Sequence, residues 1–244
     1  MKPKILIFKP WANVLWAPGK NCHMEMLKAF EDAGANPHLV LINRLISGKE
    51  KLSDCDLFGD PGGFGWGDHI RAGWIQAIDF VYRFGDQIML MVKKKIPMLG
   101  VCNGFQDFTA AGILGGKLGE PGILMDTNSI ATFQHWTDTK VIIHDPGDCV
   151  WLSGLDRMAM FLPSSHGEGR VVELAKRVWH IAATYGTYEG QSDYPISPNG
   201  SRVAGISQGN IFALMPHPER KIFKRVHGGN EGLLIFKNAV RAVT

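Results

Sequence analysis

Pro97-Met-Leu-Gly-Val-Cys-Asn-Gly-Phe-Gln106 decides the fold. Its first half is a short apolar run with strand character, and its second half sets Cys102 between Gly100 and Gly104. The pattern predicts a nucleophile elbow, in which a strand ends, the nucleophile takes a strained backbone conformation and a helix begins. Cys102 then projects its sulfur into a pocket, and the amide of Asn103, at the helix N-terminus, faces the same space. Helix N–H dipoles at that point favour thiolate over thiol and can hold a developing oxyanion. The competing reading is a buried cysteine that simply opens a core helix.

Far down the chain, Ala213-Leu-Met-Pro-His-Pro-Glu-Arg220 supplies a base and a group to orient it. Proline on each side of His217 removes two backbone donors and biases the histidine toward extended geometry. His217 and Glu219, two residues apart, then project to one side. A carboxylate so placed can hydrogen-bond one imidazole nitrogen and leave the other facing a sulfur, as in a catalytic triad. A lone histidine near a strand end is usually structural. Paired with a cysteine elbow, it reads as a base.

A third segment, Asp60-Pro-Gly-Gly-Phe-Gly-Trp-Gly-Asp68, has four glycines in nine residues and cannot be core strand. It is suited to bringing backbone N–H groups against a ligand, so Gly63 or Phe64 is expected to donate to an oxyanion opposite Asn103. A phosphate loop is disfavoured, because no Lys-Ser/Thr pair follows and the Gly-x-Gly-x-x-Gly spacing is missing.

With these segments in view, the chain resembles the class I, triad-type glutamine amidotransferases, most closely the family of glutaminase subunits of phosphoribosylformylglycinamidine synthase. The elbow Gly100–Gln106, the run Met215–Arg220 and the Pro61–Phe64 loop leading to Gly67-Asp68 and Arg71-Ala-Gly73 carry the resemblance. Ser165-His-Gly-Glu-Gly-Arg170, Tyr194-Pro-Ile-Ser-Pro-Asn-Gly-Ser201 and Ala204-Gly-Ile206 extend it over nearly the whole chain. It implies an α/β, flavodoxin-like fold with a largely parallel sheet flanked by helices. It also implies hydrolysis of glutamine to glutamate and ammonia by a Cys102–His217–Glu219 triad through a thioester, with Gln106, His166 and Gly167 helping to hold glutamine. Ammonia would pass to a synthetase subunit in purine biosynthesis, with a small accessory subunit as a further expected partner. ATP and Mg are expected on that partner, since this chain carries no ATP-binding motif of its own, and no cofactor or metal is expected here.

Two departures from the family pattern stand out. His23 follows Gly19-Lys-Asn-Cys22 where the family has an acid, and Thr132-Phe-Gln-His-Trp136 lacks two expected arginines around Phe133 and Trp136. Both leave the triad intact and bear instead on the partner or the final ammonia acceptor. A stand-alone cysteine hydrolase of γ-glutamyl compounds, an amidotransferase subunit serving another acceptor, and a subunit that kept the fold without the reaction are the alternatives.

Bulk properties agree. At 244 residues, 45% hydrophobic and 20% charged, the chain suits one α/β domain spanning 1–244. A net charge of +3 suggests no general nucleic-acid role, although Lys93-Lys-Lys95 and Arg220–Arg225 are locally cationic. The first reads as a helix end favoured by its dipole, the second as a surface for a charged partner or substrate. Cys22, Cys55, Cys102 and Cys149 form no Cys-x-x-Cys pair, which argues against zinc. His135, His144, His180 and His227 have no metal-ligand spacing. The opening Met1–Pro10 breaks after four apolar residues, more like a strand than a signal peptide. No apolar run approaches the roughly 20 residues a membrane span needs, so a reduced cytoplasm and a free Cys102 are expected.

Short apolar segments alternating with amphipathic ones predict a parallel sheet covered by helices. Strands are expected at Lys4–Phe8, His38–Ile42, Lys140–Ile143, Ile181–Thr184 and Ile211–Met215. Helices are expected at Cys22–Gly34, Ile70–Lys94, Phe105–Leu114 and Glu231–Val243. Gly115–Asp138 lacks periodicity and reads as a surface excursion, and Gly186–Gly200 as a mobile loop beside the site.

Overall fold

The computed structural model describes residues 9–187 and 197–244. In chain order the elements are β1 (Trp11–Trp16), α1 (His23–Ala33), β2 (Asn36–Leu41), α2 (Ile42–Ile46), β3 (Leu57–Asp60), α3 (Trp74–Ile78), α4 (Gly85–Lys93), β4 (Met98–Val101) and α5 (Asn103–Ala110). They continue as β5 (Ile123–Thr127), β6 (Gln134–Ile143), β7 (Ala159–His166), β8 (Glu168–Glu173), β9 (His180–Tyr185), β10 (Val203–Gln208), β11 (Ile211–Leu214), α6 (Lys224–His227) and α7 (Gly232–Val243). Among the described residues, nine strands form one sheet in the order β2-β1-β3-β4-β11-β10-β9-β6-β7, and β5 pairs with β8 as a separate ribbon.

The half from β2 to β11 is parallel, as the apolar runs predicted, and β10, β9, β6 and β7 extend it with antiparallel pairings. Strands β3, β4 and β11 are buried at every position, as strands covered on both faces must be. Their sequences are short continuous apolar runs for that reason. Neighbouring residues of β3 point to opposite faces. The ring of Phe58 stacks on Phe108 of α5 at 6.3 Å, while a Cβ at Gly59 would run into Met26 and Phe30 of α1. Helices α1 and α5 therefore cover opposite faces. On the first face α1 meets α7 through an edge-on contact of Phe30 with Phe236 at 5.1 Å. The α7 stripe Leu233, Phe236, Ala239 and Val240 follows the helical period expected of it.

Register brings three strand ends together. Asp60 pairs with Gly100, and Leu214 pairs with Val101, so the segments leaving β3, β4 and β11 emerge side by side. In an open α/β sheet this carboxyl edge is where ligands bind.

Several expectations change. Lys4–Phe8 lies outside the described residues, and the first described strand is Trp11–Trp16, whose two tryptophans and Asn13 hide its core pattern. The single helix expected over Ile70–Lys94 is broken into α3 and α4. Left-handed residues at Ile70 (φ 71°) and Gly73 (φ 83°) delay its start, and a wider π turn at Asp79–Arg83 interrupts it before Gly85. Gly73 is needed there because a Cβ would sit 2.5 Å from the Gln106 carbonyl carbon. The supposed excursion Gly115–Asp138 contains β5 and the start of β6. Strands β7, β8 and β10 add to the expected set; in β7 and β8 polar residues mask the alternation. Most of Gly186–Gly200 falls outside the described residues.

Candidate active site

Cys102 occupies the turn between β4 and α5 with φ 53° and ψ −105°, a left-handed conformation that strains any residue but glycine. The flanking glycines make the turn possible. A Cβ at Gly104 would lie 2.0 Å from the Asp60 carbonyl oxygen, and one at Gly100 would lie 2.7 Å from the Gly104 oxygen. The amide of Cys102 donates to Leu214 O at 2.8 Å, tying the elbow to β11. Its Sγ is buried and lies 3.4 Å from Ser165 O.

Past β11, the His217 amide is anchored on Pro163 O at 2.8 Å, and His217 Nδ1 is 2.7 Å from Glu219 Oε1. Both side chains are buried. Among the described residues the other ring nitrogen, Nε2, has no hydrogen-bond partner of normal geometry, and the sulfurs of Cys102 and Cys22 lie beside the ring. Burial alone would push the imidazolium down, but the Glu219 carboxylate and the two sulfurs outweigh it, and His217 is raised well above the ordinary histidine value. The ring is thus set to hold a proton beside the Cys102 sulfur. One cysteine, one base and one orienting carboxylate, predicted from segments more than a hundred residues apart, come together here.

The glycine-rich loop lies opposite. A Cβ at Gly62 would touch His217 at 2.8 Å and Cys102 at 3.2 Å, so only glycine lets this backbone pass the reactive pair. Gly63 has φ 141° and would collide with the Lys20–Asn21 backbone if it carried a side chain. Among the described residues, the amides of Gly63 and Asn103 donate to no other group, and both are free to meet an oxyanion. Phe64 departs from the expectation. Its amide donates to Gly19 O at 3.0 Å and is not free for an oxyanion, while its ring leans on Phe133 at 5.8 Å over the mouth of the cleft.

Beside Cys102 opens a cleft of about 100 Å³ lined by Gly63, Phe64, Asp68, Gln106, His166 and Glu168, among others. Gln106 and Gly167 line it as expected, but the Gln106 side chain is already engaged. Its Nε2 donates to Glu168 O at 2.5 Å and its Oε1 accepts from Asn103 Nδ2 at 3.1 Å, so Gln106 fixes the Gly167–Glu168 turn against α5. His166 is buried and pushed down to about 3 by burial and by neighbouring His217, which keeps it neutral. Its Nδ1 pairs with Asn128 Oδ1 at 3.1 Å. Asn103 braces the loop through its side chain, accepting from the Gly65 amide at 3.0 Å.

Three residues near the site were not singled out from the sequence. Asp68 and Glu168 place two carboxylates on the cleft, and Asp68 is raised to about 6 by desolvation and then by the Glu168 charge. Cys22 accepts from Arg220 Nη2 at 3.0 Å, although its distance along the chain gave no sign of it. Cys22, His217 and Glu219 offer ligand atoms within 4.8 Å of one another, yet Nδ1 and the carboxylate already face each other as a hydrogen-bonded pair. A groove of about 740 Å³, lined by Ile88, Val92, Ile96, Ile113 and Ile211 among others, lies away from this chemistry and includes none of the triad.

Residues 9–241 match the CobB/CobQ-like glutamine amidotransferase domain. The chain belongs to that family. It is 34% identical to the phosphoribosylformylglycinamidine synthase subunit PurQ of Dehalococcoides mccartyi, over 93% of this chain and 95% of the relative. It is 32% identical to the PurQ subunit of Treponema denticola, over 91% and 92%. A solved structure of PurLQS from Thermotoga maritima superposes with a TM-score of 0.78 at 28% identity, covering 97% of this chain and all of that one. Of the two segments set apart in the sequence, that of Phe133 lines the cleft of this amidotransferase. Phe133 is half exposed against Phe64, and His23 opens α1, its Nδ1 3.1 Å from Lys20 O. Of the cationic run after the triad, Lys221 turns to Asp138 at 2.7 Å and Arg220 to Glu25 and Cys22, leaving Lys224 and Arg225 exposed.

Proposed function

We propose that this chain is the glutaminase subunit of a phosphoribosylformylglycinamidine synthase, releasing ammonia from glutamine for a synthetase partner. The observation that carries the chemistry is the strained Cys102 elbow facing a buried His217–Glu219 pair. The Cys102 sulfur attacks the side-chain carboxamide carbon, and the carbonyl oxygen takes its charge between the Gly63 and Asn103 amides. His217 gives its Nε2 proton to the departing ammonia, leaving a γ-glutamyl thioester on Cys102. The same nitrogen then draws a proton from water, which attacks the thioester, and glutamate leaves with the thiol restored. Glu219 keeps the ring oriented and stabilises its charged form throughout.

Asp68 and Glu168 give the cleft two carboxylates, fitted to the α-ammonium of a free amino acid. Glutamine is thereby separated from neutral amides. Free ammonia would be protonated in open water, so delivery belongs to a docked synthetase, which supplies the ATP and Mg sites. Among the described residues no helix is long and apolar enough to cross a membrane, and a cytoplasmic setting suits a free nucleophilic thiol.

Glutamate release by the purified chain and by Cys102→Ala, each with and without a formylglycinamidine synthetase subunit, tests this reading. Cysteine-dependent release that rises with the synthetase and its substrates is expected. Release indifferent to that partner would remove the purine assignment, and no release under any condition would remove the glutaminase.

A further inference from the structure

We propose that Lys20, Asp60 and Asp107 form a buried charge clamp that positions the glycine-rich loop against the catalytic helix. The proposal rests on the glutaminase reading and adds to it a set of positioning residues that never touch substrate. Lys20 Nζ is 2.5 Å from Asp60 Oδ1, 2.6 Å from Asp107 Oδ2 and 2.9 Å from Pro61 O, and all three side chains are fully buried.

These contacts join three pieces of the site. Asp60 ends β3 and Pro61 begins the glycine-rich loop; Asp107 follows Gln106 on α5; Lys20 sits between β1 and α1. The backbone of the Lys20 segment grips the same loop from above, with Phe64 N on Gly19 O and Cys22 N on Gly62 O at 3.2 Å. Gly62 and Gly63 are thus held at both ends, by the Gly19 and Cys22 backbone on one side and by the Lys20 ammonium under Pro61 on the other. The Gly63 amide is fixed relative to Cys102 by these bonds.

A solely structural purpose accounts poorly for this cluster. Removing an ammonium and two carboxyl groups from water costs several kcal/mol per ion, and apolar residues of similar volume often serve stability equally well. One cation between two carboxyl groups is neutral only if the pair keeps one proton. Burial raises Asp107 well above the carboxylate range against the pull of Lys20, with Asp60 adding to the rise, so the pair retains a proton. What the ion cluster adds is direction: Lys20 donates to Asp107 Oδ2 and Pro61 O and pairs by charge with Asp60 Oδ1, where apolar packing would let the loop shift.

The decisive variant is Lys20→Met/Asp60→Leu/Asp107→Leu, which removes every charge together and leaves none unpaired. It is assayed with the synthetase subunit for glutamine turnover, and alone for amide hydrogen exchange. The expected result is an unchanged or raised melting temperature, a KM for glutamine within about threefold of the parent, a kcat lowered about 10–100-fold, and faster exchange confined to Gly62–Phe64. Unchanged kcat with unchanged loop exchange would overturn the clamp while the parent's own turnover keeps the glutaminase reading. A parent that releases no glutamate would defeat that reading instead, and loop exchange would still decide whether the cluster holds the loop. Should the triple variant fail to fold, Lys20→Met/Asp60→Leu, which removes the cation together with one counter-charge and leaves a single carboxyl group that can stay neutral, takes its place. Its kcat should fall with KM unchanged and its Gly62–Phe64 exchange should quicken, and unchanged values of both would overturn the clamp. A parent infrared spectrum without a protonated-carboxyl C=O band at neutral pH would overturn the shared proton.

Discussion

Two ion clusters flank the cleft and obey different physics. Beneath the glycine-rich loop, Lys20, Asp60 and Asp107 are sealed from water. On the far side, Arg71 pairs with Asp126 at 3.0 Å and approaches Glu168 at 3.6 Å, while Arg170 closes on the other Asp126 oxygen, and these side chains are roughly a third exposed. The first cluster lies where backbone amides must be held for charge developing on substrate. The second ties the turn before α3 to the β5–β8 ribbon around a cleft that must admit and release a small molecule. Buried ions cost desolvation and impose geometry; exposed ions cost little and yield easily. A site that needs both a fixed floor and a wall that can give is furnished with one of each.

Breaking one partner of the buried cluster should produce the largest stability effect. Lys20→Met leaves two carboxyl groups without their cation, and unfolding free energy should drop by about 3–5 kcal/mol in urea titration. Asp126→Asn on the exposed side should cost about 1 kcal/mol or less, and the difference should vanish in 1 M salt. Equal costs, or an Asp126→Asn effect indifferent to salt, would erase the contrast between the clusters.

Proton linkage sharpens it further. The folded chain protonates His166 only near pH 3, whereas an unfolded histidine takes up its proton near 6.5. Its contribution is therefore complete above about pH 6.5 and is lost as pH falls toward 3, by up to about 1.4 kcal/mol per pH unit. Urea titrations from pH 7 to pH 4 should show that slope, and His166→Asn should remove it. On the cleft, Asp68 raised to about 6 must be ionised to meet an ammonium. The kcat/KM for glutamine should fall as pH drops through 6, and Asp68→Asn should flatten that limb while lowering the plateau roughly tenfold. A limb that survives in Asp68→Asn would assign it to another group.

The triad was legible because each member lies in a local pattern with a physical cause: glycines around a strained nucleophile, prolines around a base. The Gly-rich loop was legible as a ligand loop but not in detail, since only pairing with Gly19 reveals that the Phe64 amide is taken. Asp60 and Asp107 looked like ordinary polar residues beside a turn and within a helix. Nothing in their spacing links them to Lys20, because the link is made by the pairing of β3 with β1 and β4 and not along the chain. Cys22 escaped for the same reason. Strand β5 was obscured because apolar Leu124 stands between the buried Ile123 and Met125, and β8 because it buries only Gly169. Helices α3 and α4 merged in the sequence because an apolar period says nothing of the left-handed turn that Gly73 needs beside Gln106.

Reaction of the chain, bound to its synthetase, with an electrophilic diazoketone analogue of glutamine, followed by peptide mass mapping, tests the central claim most directly. Stoichiometric labelling of Cys102 is predicted, with Cys22 unlabelled although its sulfur also lies beside His217, and with labelling slowed about 10³–10⁴-fold in Glu219→Gln. Labelling of Cys22 in place of Cys102, or a rate indifferent to Glu219, would contradict the account.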